Sequence, residues 1–303
     1  MHRLYTPRIT VPRGSHCNQK QGNGPYRLPP SEIARAAGIT TNPVAIIWTD
    51  KKPEHALELK AGTWGCVMWL FASVAREGKT AAFTRDTTTC AGGAMGLGFG
   101  RPMEKHAARS EEGFCSFLSN GITGTKDRRG YEAIIAKAPD ARHRMMLTEG
   151  ERFFKNPEIV QVFLANLPIY RARDPYIVMK PVHEVGEDED VKSIVFVVTA
   201  TQLAALSLLA NYGTGNIRNG VIVAAGASGC QAMGVCTYAE SQSEPPRAVV
   251  GLTDLSARRA VLSTLGKDVL TFSVPFSLYR EMEKNVPGSF LELNLWKELR
   301  DAG

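Results

Sequence analysis

The sequence lacks the segments that would export a chain or hold it in a membrane. The basic residues near the N-terminus are not followed by an apolar stretch, so we find no signal sequence. The apolar run Cys66–Ala75 is too short to cross a bilayer. A longer run, Ile194–Ala210, contains polar residues and reads as a buried strand followed by a helix. We therefore expect a cytoplasmic protein with no transmembrane segment and with reduced cysteines.

The body of the chain also lacks an excess of charge of one sign. The whole chain has 36 Lys and Arg against 30 Asp and Glu, a formal charge of +6. Five of the basic residues lie within positions 1–30, which contain no acid, so the remainder is almost neutral. Nucleic-acid binding usually requires a basic face on the folded part. We therefore expect no nucleic-acid partner.

Several common catalytic motifs are absent. The glycine-rich segment after Cys90 does not end in Gly-Lys-Ser/Thr, and Gly93-x-x-Gly96-x-Gly98 has the wrong order for a dinucleotide-binding turn. The sequence has no Gly-x-Ser-x-Gly nucleophile elbow and no Cys-x-x-Cys pair. Its histidines share no metal-ligand spacing. The sequence therefore does not indicate a reaction or a substrate.

What is present is an alternation of strand and helix patterns, which predicts an α/β or α+β fold with a mixed sheet covered by helices. The predicted strands are Val44–Trp48, Thr80–Thr84, Tyr176–Pro181, Ser193–Val198, Val221–Ala225, Ala248–Gly251 and Val269–Val274. The predicted helices are Ser31–Ala37, Cys66–Arg76, Arg129–Lys137, Pro157–Leu164, Thr201–Asn211, Phe276–Lys284 and Phe290–Arg300. A further helix bearing Cys230 and Cys236 is predicted after the turn Gly226–Gly229.

The composition predicts one domain with an extension. Residues 1–30 are rich in Pro, Gly and polar residues and are interpreted as a flexible N-terminal extension. Residues 31–303 are long enough and, at 44% apolar for the whole chain, apolar enough to form a single α/β domain. Each half of this domain has a strand, a glycine turn, a cysteine and a helix in succession. This predicts two loosely similar halves, 31–172 and 173–303.

The six cysteines are the main functional clue. Three of them, Cys66, Cys90 and Cys230, are predicted at the starts of helices and beside glycines, where the helix N-terminus should lower the thiol pKa. Three such thiolates could hold a [4Fe–4S] cluster and leave one iron open to another ligand. Cys236 is a fourth candidate, but it lies six residues after Cys230, on another helix face unless Gly234 permits a bend. The competing interpretation is that all these thiols are small buried apolar groups.

The glycine turns support a second hypothesis. Gly92, Gly93 and Gly229 lie where backbone N–H groups at a helix start could bind a small anionic ligand without a metal. The structural alternative is that these glycines serve tight turns between strand and helix.

In order along the chain, these motifs resemble the ArCR family, domain of unknown function 169. The motifs that carry the resemblance are Cys66 at a helix start, Cys90-Ala91-Gly92-Gly93-Ala94, the strand Tyr176–Val182, the turn Ser228-Gly229-Cys230 and the strand Phe272-Ser273-Val274-Pro275. The family pattern implies a further cysteine where this chain has Gly251-Leu252. That ligand role is then absent, or is taken by Cys236 or Cys115.

Two functional hypotheses follow. The first is a protein that binds a metal or an iron–sulfur cluster through Cys66, Cys90, Cys230 and Cys236, with a redox or sulfur-handling role and an electron-transfer partner or a small-molecule ligand. The second is a metal-free module that binds a small anion through Gly92, Gly93 and Gly229.

Overall fold

The computed structural model describes residues 27–101, 111–138 and 140–302. Most of the extension predicted for residues 1–30, including Cys17, lies outside the described residues. The described residues form seven strands in one sheet, in the order β2-β3-β1-β4-β7-β6-β5. These strands are β1 Val44–Thr49, β2 Ala81–Phe83, β3 Tyr176–Pro181, β4 Val191–Val198, β5 Val221–Val223, β6 Ala248–Gly251 and β7 Leu270–Pro275.

The sheet is mixed, as the alternating pattern predicted. Strands β5 and β6 pair in parallel, and the other neighbouring pairs are antiparallel. Helices cover both faces, so the predicted α/β class is confirmed. The helices are α1 Glu32–Ala37, α2 Val67–Glu77, α3 Ala91–Leu97, α4 Glu111–Leu118, α5 Arg128–Ala136, α6 Ala141–Glu149, α7 Pro157–Asn166, α8 Ala200–Asn211, α9 Gly229–Gln231, α10 Thr237–Glu240, α11 Leu255–Leu265, α12 Phe276–Asn285 and α13 Asn294–Asp301.

Alternation along the strands assigns side chains to the two faces. On one face, Ile47, Phe196 and Phe272 pack with residues of α1, α8, α12 and α13 in one core cluster. On the other face, Ile46 and Val195 pack against α2 and α11 in a second cluster. The run Ile194–Ala210 is β4 followed by α8, as expected from its sequence. Within the described residues, no helix combines the length and the apolar character needed to cross a membrane.

Strands β1 and β4 lie side by side near the middle of the sheet. Moving outward from this pair, the strands are β3 and β2 on the side of β1, and β7, β6 and β5 on the side of β4. Strand β3, assigned to the second half from the sequence, therefore lies between two strands of the first half. If the domain consists of two similar halves, the boundary between them must come after β3 in the chain and not at residue 172. The existence of such halves stays a prediction.

Local sequence explains where several helices begin. The Ser31 side chain accepts a hydrogen bond from the Ala34 N–H, and Thr199 and Gln202 form a capping box at the start of α8. The predicted C-terminal helix is divided, because Leu293 is extended between a short 3-10 turn and α13. Helices α4, α6 and α11 were not predicted. Helix α6 has little amphipathic periodicity, so its sequence contains no clear helical pattern.

The helix that bears Cys230 and Cys236 is irregular. Helix α9 continues into the π-helix Ala232–Cys236 and then into α10. The Met233 carbonyl accepts a hydrogen bond from the Ser193 hydroxyl, and the Ala232 carbonyl accepts one from the Thr237 hydroxyl. A π-helical insertion changes the rotation between residues before and after it. Cys230 and Cys236 are therefore not related by regular α-helical geometry.

Candidate functional site

Four helix N-termini meet on the sheet face that carries α2 and α11. Cys66 precedes α2, Cys90 precedes α3, Ser228 precedes α9, and Asp254 precedes α11. Helix α2 packs against α11, and α3 packs against α9 and the π-helix. The Gly229 N–H donates a 2.8 Å hydrogen bond to Asp254 Oδ1, which joins the starts of α9 and α11. Residues far apart in the chain are thus brought to one place.

Glycines in the first turns permit this close approach. A Cβ atom at Gly93 would lie 2.8 Å from Val67 Cγ2, in the first turn of α2. A Cβ atom at Gly229 would lie 3.1 Å from the Met68 methyl carbon, and one at Gly92 would lie 3.4 Å from Ser228 Oγ. Side chains of other elements fill the space beside these three glycines. The absence of a side chain at Gly92, Gly93 and Gly229 therefore allows the helices to pack closely.

Further along α3, two glycines allow its backbone to contact the backbone of the helix that bears Cys230. A Cβ atom at Gly96 would lie 2.6 Å from the Cys230 carbonyl carbon, and one at Gly234 would lie 2.1 Å from the Gly96 carbonyl oxygen. These distances leave no room for side chains at the crossing of α3 with the π-helix. The glycines therefore allow α3 and its Cys90 cap to lie directly against the helix of Cys230.

Cys66, Cys90 and Cys230 form a group that we name the cysteine cluster. Burial raises the pKa of both Cys66 and Cys230, and negative charge on Cys90 raises both further. Charge on Cys66 also raises the pKa of Cys230. Such charge interactions require the thiols to be near one another in a medium that screens poorly. The structure thus places three of the four predicted metal-binding cysteines within range of one another's charge.

The protonation state of the cluster differs from the sequence prediction. Burial raises the pKa of the Cys66 thiol to about 12, although the N–H groups of Met68 and Trp69 favour the thiolate. Burial also raises the pKa of Cys230 well above its usual range, and a contact with Ser228 Oγ at 3.2 Å only partly offsets this. The expectation of a lowered pKa at the helix N-terminus was wrong for these two thiols, because desolvation outweighs the helix dipole.

Two buried polar groups beside the cluster have no hydrogen-bond partner among the described residues. One is the Thr88 hydroxyl, two residues before Cys90, and the other is the Gln231 amide nitrogen, next to Cys230. Both residues are 1% exposed. A buried polar group without a partner costs stability, and such groups in native structures commonly mark a missing ligand or water. Residues close to Cys90 and Cys230 in the chain therefore carry buried hydrogen-bond donors that are not in use.

The thiols do not adopt a metal-coordinating arrangement. Within the part of the chain that the structure describes, no three side chains of His, Cys, Asp and Glu are grouped closely enough to hold a metal ion. Thiolates are ligands for soft metals, but the side chains of the cluster do not stand in a metal-binding arrangement in this structure.

The fourth predicted ligand, Cys236, lies elsewhere. It is buried with Cys115 in a third core cluster, beneath α4 and α7, whereas Cys230 belongs to the cluster beneath α2 and α11. Burial raises the pKa of Cys236 to about 12 and that of Cys115 to about 11. The structure places both thiols as small apolar groups, and it does not bring Cys236 to the cysteine cluster.

Two acidic residues at the site were not found from the sequence. Asp254 is 1% exposed and accepts hydrogen bonds from the N–H groups of Gly229 and Ala257 and from the Ser256 hydroxyl. Its charge also raises the pKa of Cys66 and Cys230. It lies just after Gly251-Leu252, where the family pattern implies a cysteine. An Asp between a strand and a helical run is a recognisable N-cap signal.

Glu151, the second acidic residue, is 8% exposed and lies after α6. Its Oε1 accepts a 2.9 Å hydrogen bond from the Ser256 N–H. Burial, assisted by the charge of Asp254, raises the pKa of Glu151 to about 7. No sequence signal marks this residue, because its burial depends on α11, which is more than a hundred residues away.

The fold and the site together define an α/β protein whose single mixed sheet carries converging cysteine-capped helices on one face. The chain belongs to the family described as uncharacterised ArCR, domain of unknown function 169, whose model matches residues 32–285. The resemblance inferred from the motifs is therefore confirmed. No curated protein and no solved structure is significantly similar to the chain.

Proposed function

We propose that this protein binds a soft metal ion or an iron–sulfur cluster through Cys66, Cys90 and Cys230. The observation that supports the proposal is the mutual charge interaction of three thiols contributed by three separate helix starts. A [4Fe–4S] cluster on three cysteines supplies one-electron chemistry and leaves one iron open to a further ligand.

The residues around the thiols would assist in binding such a group. The amides of Met68 and Trp69 favour the Cys66 thiolate, and the Thr88 hydroxyl and the Gln231 amide are available as further donors. Hydrogen bonds to cluster sulfurs stabilise their negative charge. The thiols must lose their protons when the metal binds, because thiolates are the ligands. We therefore expect metal affinity to rise steeply with pH.

Packing around the glycines makes the alternative anion site less well supported. Gly92, Gly93 and Gly229 face side chains of neighbouring elements, and the Gly229 N–H already donates a hydrogen bond to Asp254 Oδ1. A Cβ atom at Gly226, in the preceding turn, would lie 2.5 Å from the Phe154 ring. We therefore place the functional centre at the thiols.

The test is the metal content of protein purified and reconstituted without oxygen. We expect a visible absorption band with about four irons and four acid-labile sulfides per chain, or a stoichiometric soft metal in their place. Cys66→Ser, Cys90→Ser and Cys230→Ser should each lose the metal. Cys115→Ser is the matched control, since Cys115 is a buried thiol outside the cluster. Cys236→Ser should also keep the metal, and loss in that variant would make Cys236 the fourth ligand.

The contradicting result is equally clear. Protein that stays colourless and metal-free after reconstitution, with all its thiols titratable after unfolding, would refute the proposal. Equal metal loss in Cys115→Ser and Cys66→Ser would show that the effect is general destabilisation.

A further inference from the structure

A second site lies beside the cysteine cluster, between α6 and the start of α11. It is a cavity of about 210 Å³. We name it the α6–α11 pocket, and the residues that define it are Arg142, Met145, Met146, Glu151, Leu255 and Arg259. Its wall thus combines two cationic side chains, three apolar side chains and one carboxyl group.

The two arginines of the pocket are not engaged in ion pairs with the described acidic residues. Neither Arg142 nor Arg259 forms an ion pair with any carboxylate in residues 27–101, 111–138 or 140–302. Asp140 is near enough to Arg259 for a charge interaction, but its carboxylate caps α6 by accepting the His143 N–H. Two guanidinium groups at one pocket favour an anionic ligand, and planar carboxylates match their donor geometry.

Glu151 differs from the surface acids because it is buried at the pocket wall. Its Oε1 is held by the Ser256 N–H. Burial and the neighbouring Asp254 raise its pKa to about 7, so that near neutral pH a large fraction of the side chain is protonated. A protonated carboxyl can donate a hydrogen bond to a carboxylate. An ionised Glu151 would repel it.

The apolar residues of the pocket indicate that the ligand also has an apolar part. Met145 is 53% exposed and Leu255 is 58% exposed, so both present apolar surface to the solvent at this place. Methionine adapts to ligands of differing shape. We propose that the α6–α11 pocket binds a small carboxylate with a short apolar chain, its carboxylate at Arg142, Arg259 and Glu151 and its chain against Met145, Met146 and Leu255.

This pocket is physically connected to the cysteine cluster. Ser256 donates to Glu151 through its N–H and to Asp254 through its hydroxyl, and Asp254 accepts the Gly229 N–H beside Cys230. A ligand in the pocket would therefore lie a short chain of hydrogen bonds from the start of α9. Ligand binding does not require the metal, so the two proposals can fail separately.

The test uses full-length protein labelled with ¹³C at the methionine methyl groups. Hexanoate is titrated, with hexanamide and hexylamine as neutral and cationic probes of similar shape. The methyl signals of Met145 and Met146, assigned with Met145→Leu and Met146→Leu, should shift and saturate. We expect hexanoate to bind about tenfold more tightly than hexanamide.

Arginine variants test whether hexanoate binds at the α6–α11 pocket. Arg142→Gln and Arg259→Gln should each weaken hexanoate binding about five- to tenfold. Arg144→Gln, on the same helix but outside the pocket, should leave it unchanged. Equal affinity for all three probes, an Arg144→Gln effect equal to that of Arg142→Gln, or a saturable shift only at Met68 in the cysteine site would overturn the proposal.

Discussion

Glu151→Gln is predicted to change how the stability of the protein depends on pH. Glu151 is 8% exposed, and burial raises its pKa from an ordinary value of 4.5 to about 7. Below pH 4.5 the side chain is protonated in both the folded and the unfolded chain, so it carries no penalty. Between these values the folded state holds the proton more tightly than the unfolded state. The free energy of unfolding therefore falls as the pH rises through this window.

The magnitude follows from the same two values. An acid whose pKa rises from 4.5 to about 7 on folding lowers the free energy of unfolding by about 3 kcal/mol once the pH is above 7. Glutamine has nearly the same shape, has no charge to desolvate, and can still accept the Ser256 N–H. Relative to the wild type, the variant should thus gain about 3 kcal/mol between acidic and slightly alkaline pH.

The assay is urea unfolding followed by tryptophan fluorescence at a series of pH values. The difference in free energy of unfolding between Glu151→Gln and wild type should rise by at most about 1.4 kcal/mol per pH unit. Most of the rise should fall between pH 4.5 and about pH 7, and the difference should level off above that range. Glu149→Gln is the control, because Glu149 is exposed two residues earlier. A Glu151→Gln difference that stays constant with pH would refute the burial argument.

Three further substitutions test the packing and capping of the site and the core on the opposite face of the sheet. Gly96→Ala places a Cβ atom 2.6 Å from the Cys230 backbone and should lower the free energy of unfolding by about 2 kcal/mol or more. Gly213→Ala is the control, because the nearest atom to its Cβ would be 3.8 Å away and its stability should stay close to that of the wild type. Thermal unfolding measures both variants. Asp254→Ala removes the α11 cap and leaves the Gly229 N–H unpaired, at a cost of about 2–4 kcal/mol, whereas Asp254→Asn keeps an acceptor and should recover most of it. If Asp254→Ala and Asp254→Asn lower the free energy of unfolding in urea by the same amount, the capping role of Asp254 is refuted. Phe272→Ala, fully buried on the other sheet face, should cost about 3–5 kcal/mol in the same assay, and a loss below 1 kcal/mol would mean that this core can collapse.

Much of the secondary structure could be predicted because it depends on neighbours in sequence. Strand β4 is a β-branched run, and α8 begins at a capping box formed by Thr199 and Gln202. The positions of Cys66 and Cys90 just before helices follow from the same local patterns. Helix α11 was missed although Asp254 is a good cap, because Leu255 and Leu262 are apolar residues on its exposed face and blur the helical periodicity.

The composition of the candidate site was partly predictable, and its arrangement was not. Glycines beside cysteines indicated close backbone approach, but Gly92, Gly93 and Gly229 proved to serve contacts between helices. Cys236 was grouped with Cys230 because they are close in sequence. The π-helix and the packing of α4 and α7 put Cys236 in a different core cluster.

The sequence by itself determined the strands, most of the helices, the family, and the cysteines that stand at helix starts, because these depend on residues within a few positions of one another. Only the tertiary structure decided that Cys66, Cys90 and Cys230 interact, and that burial raises rather than lowers the pKa of Cys66 and Cys230. It also decided that Asp254 lies near these thiols and is joined to Glu151 through Ser256. Convergence and desolvation depend on sheet order and on helices far apart in the chain, and a local pattern contains no information about either.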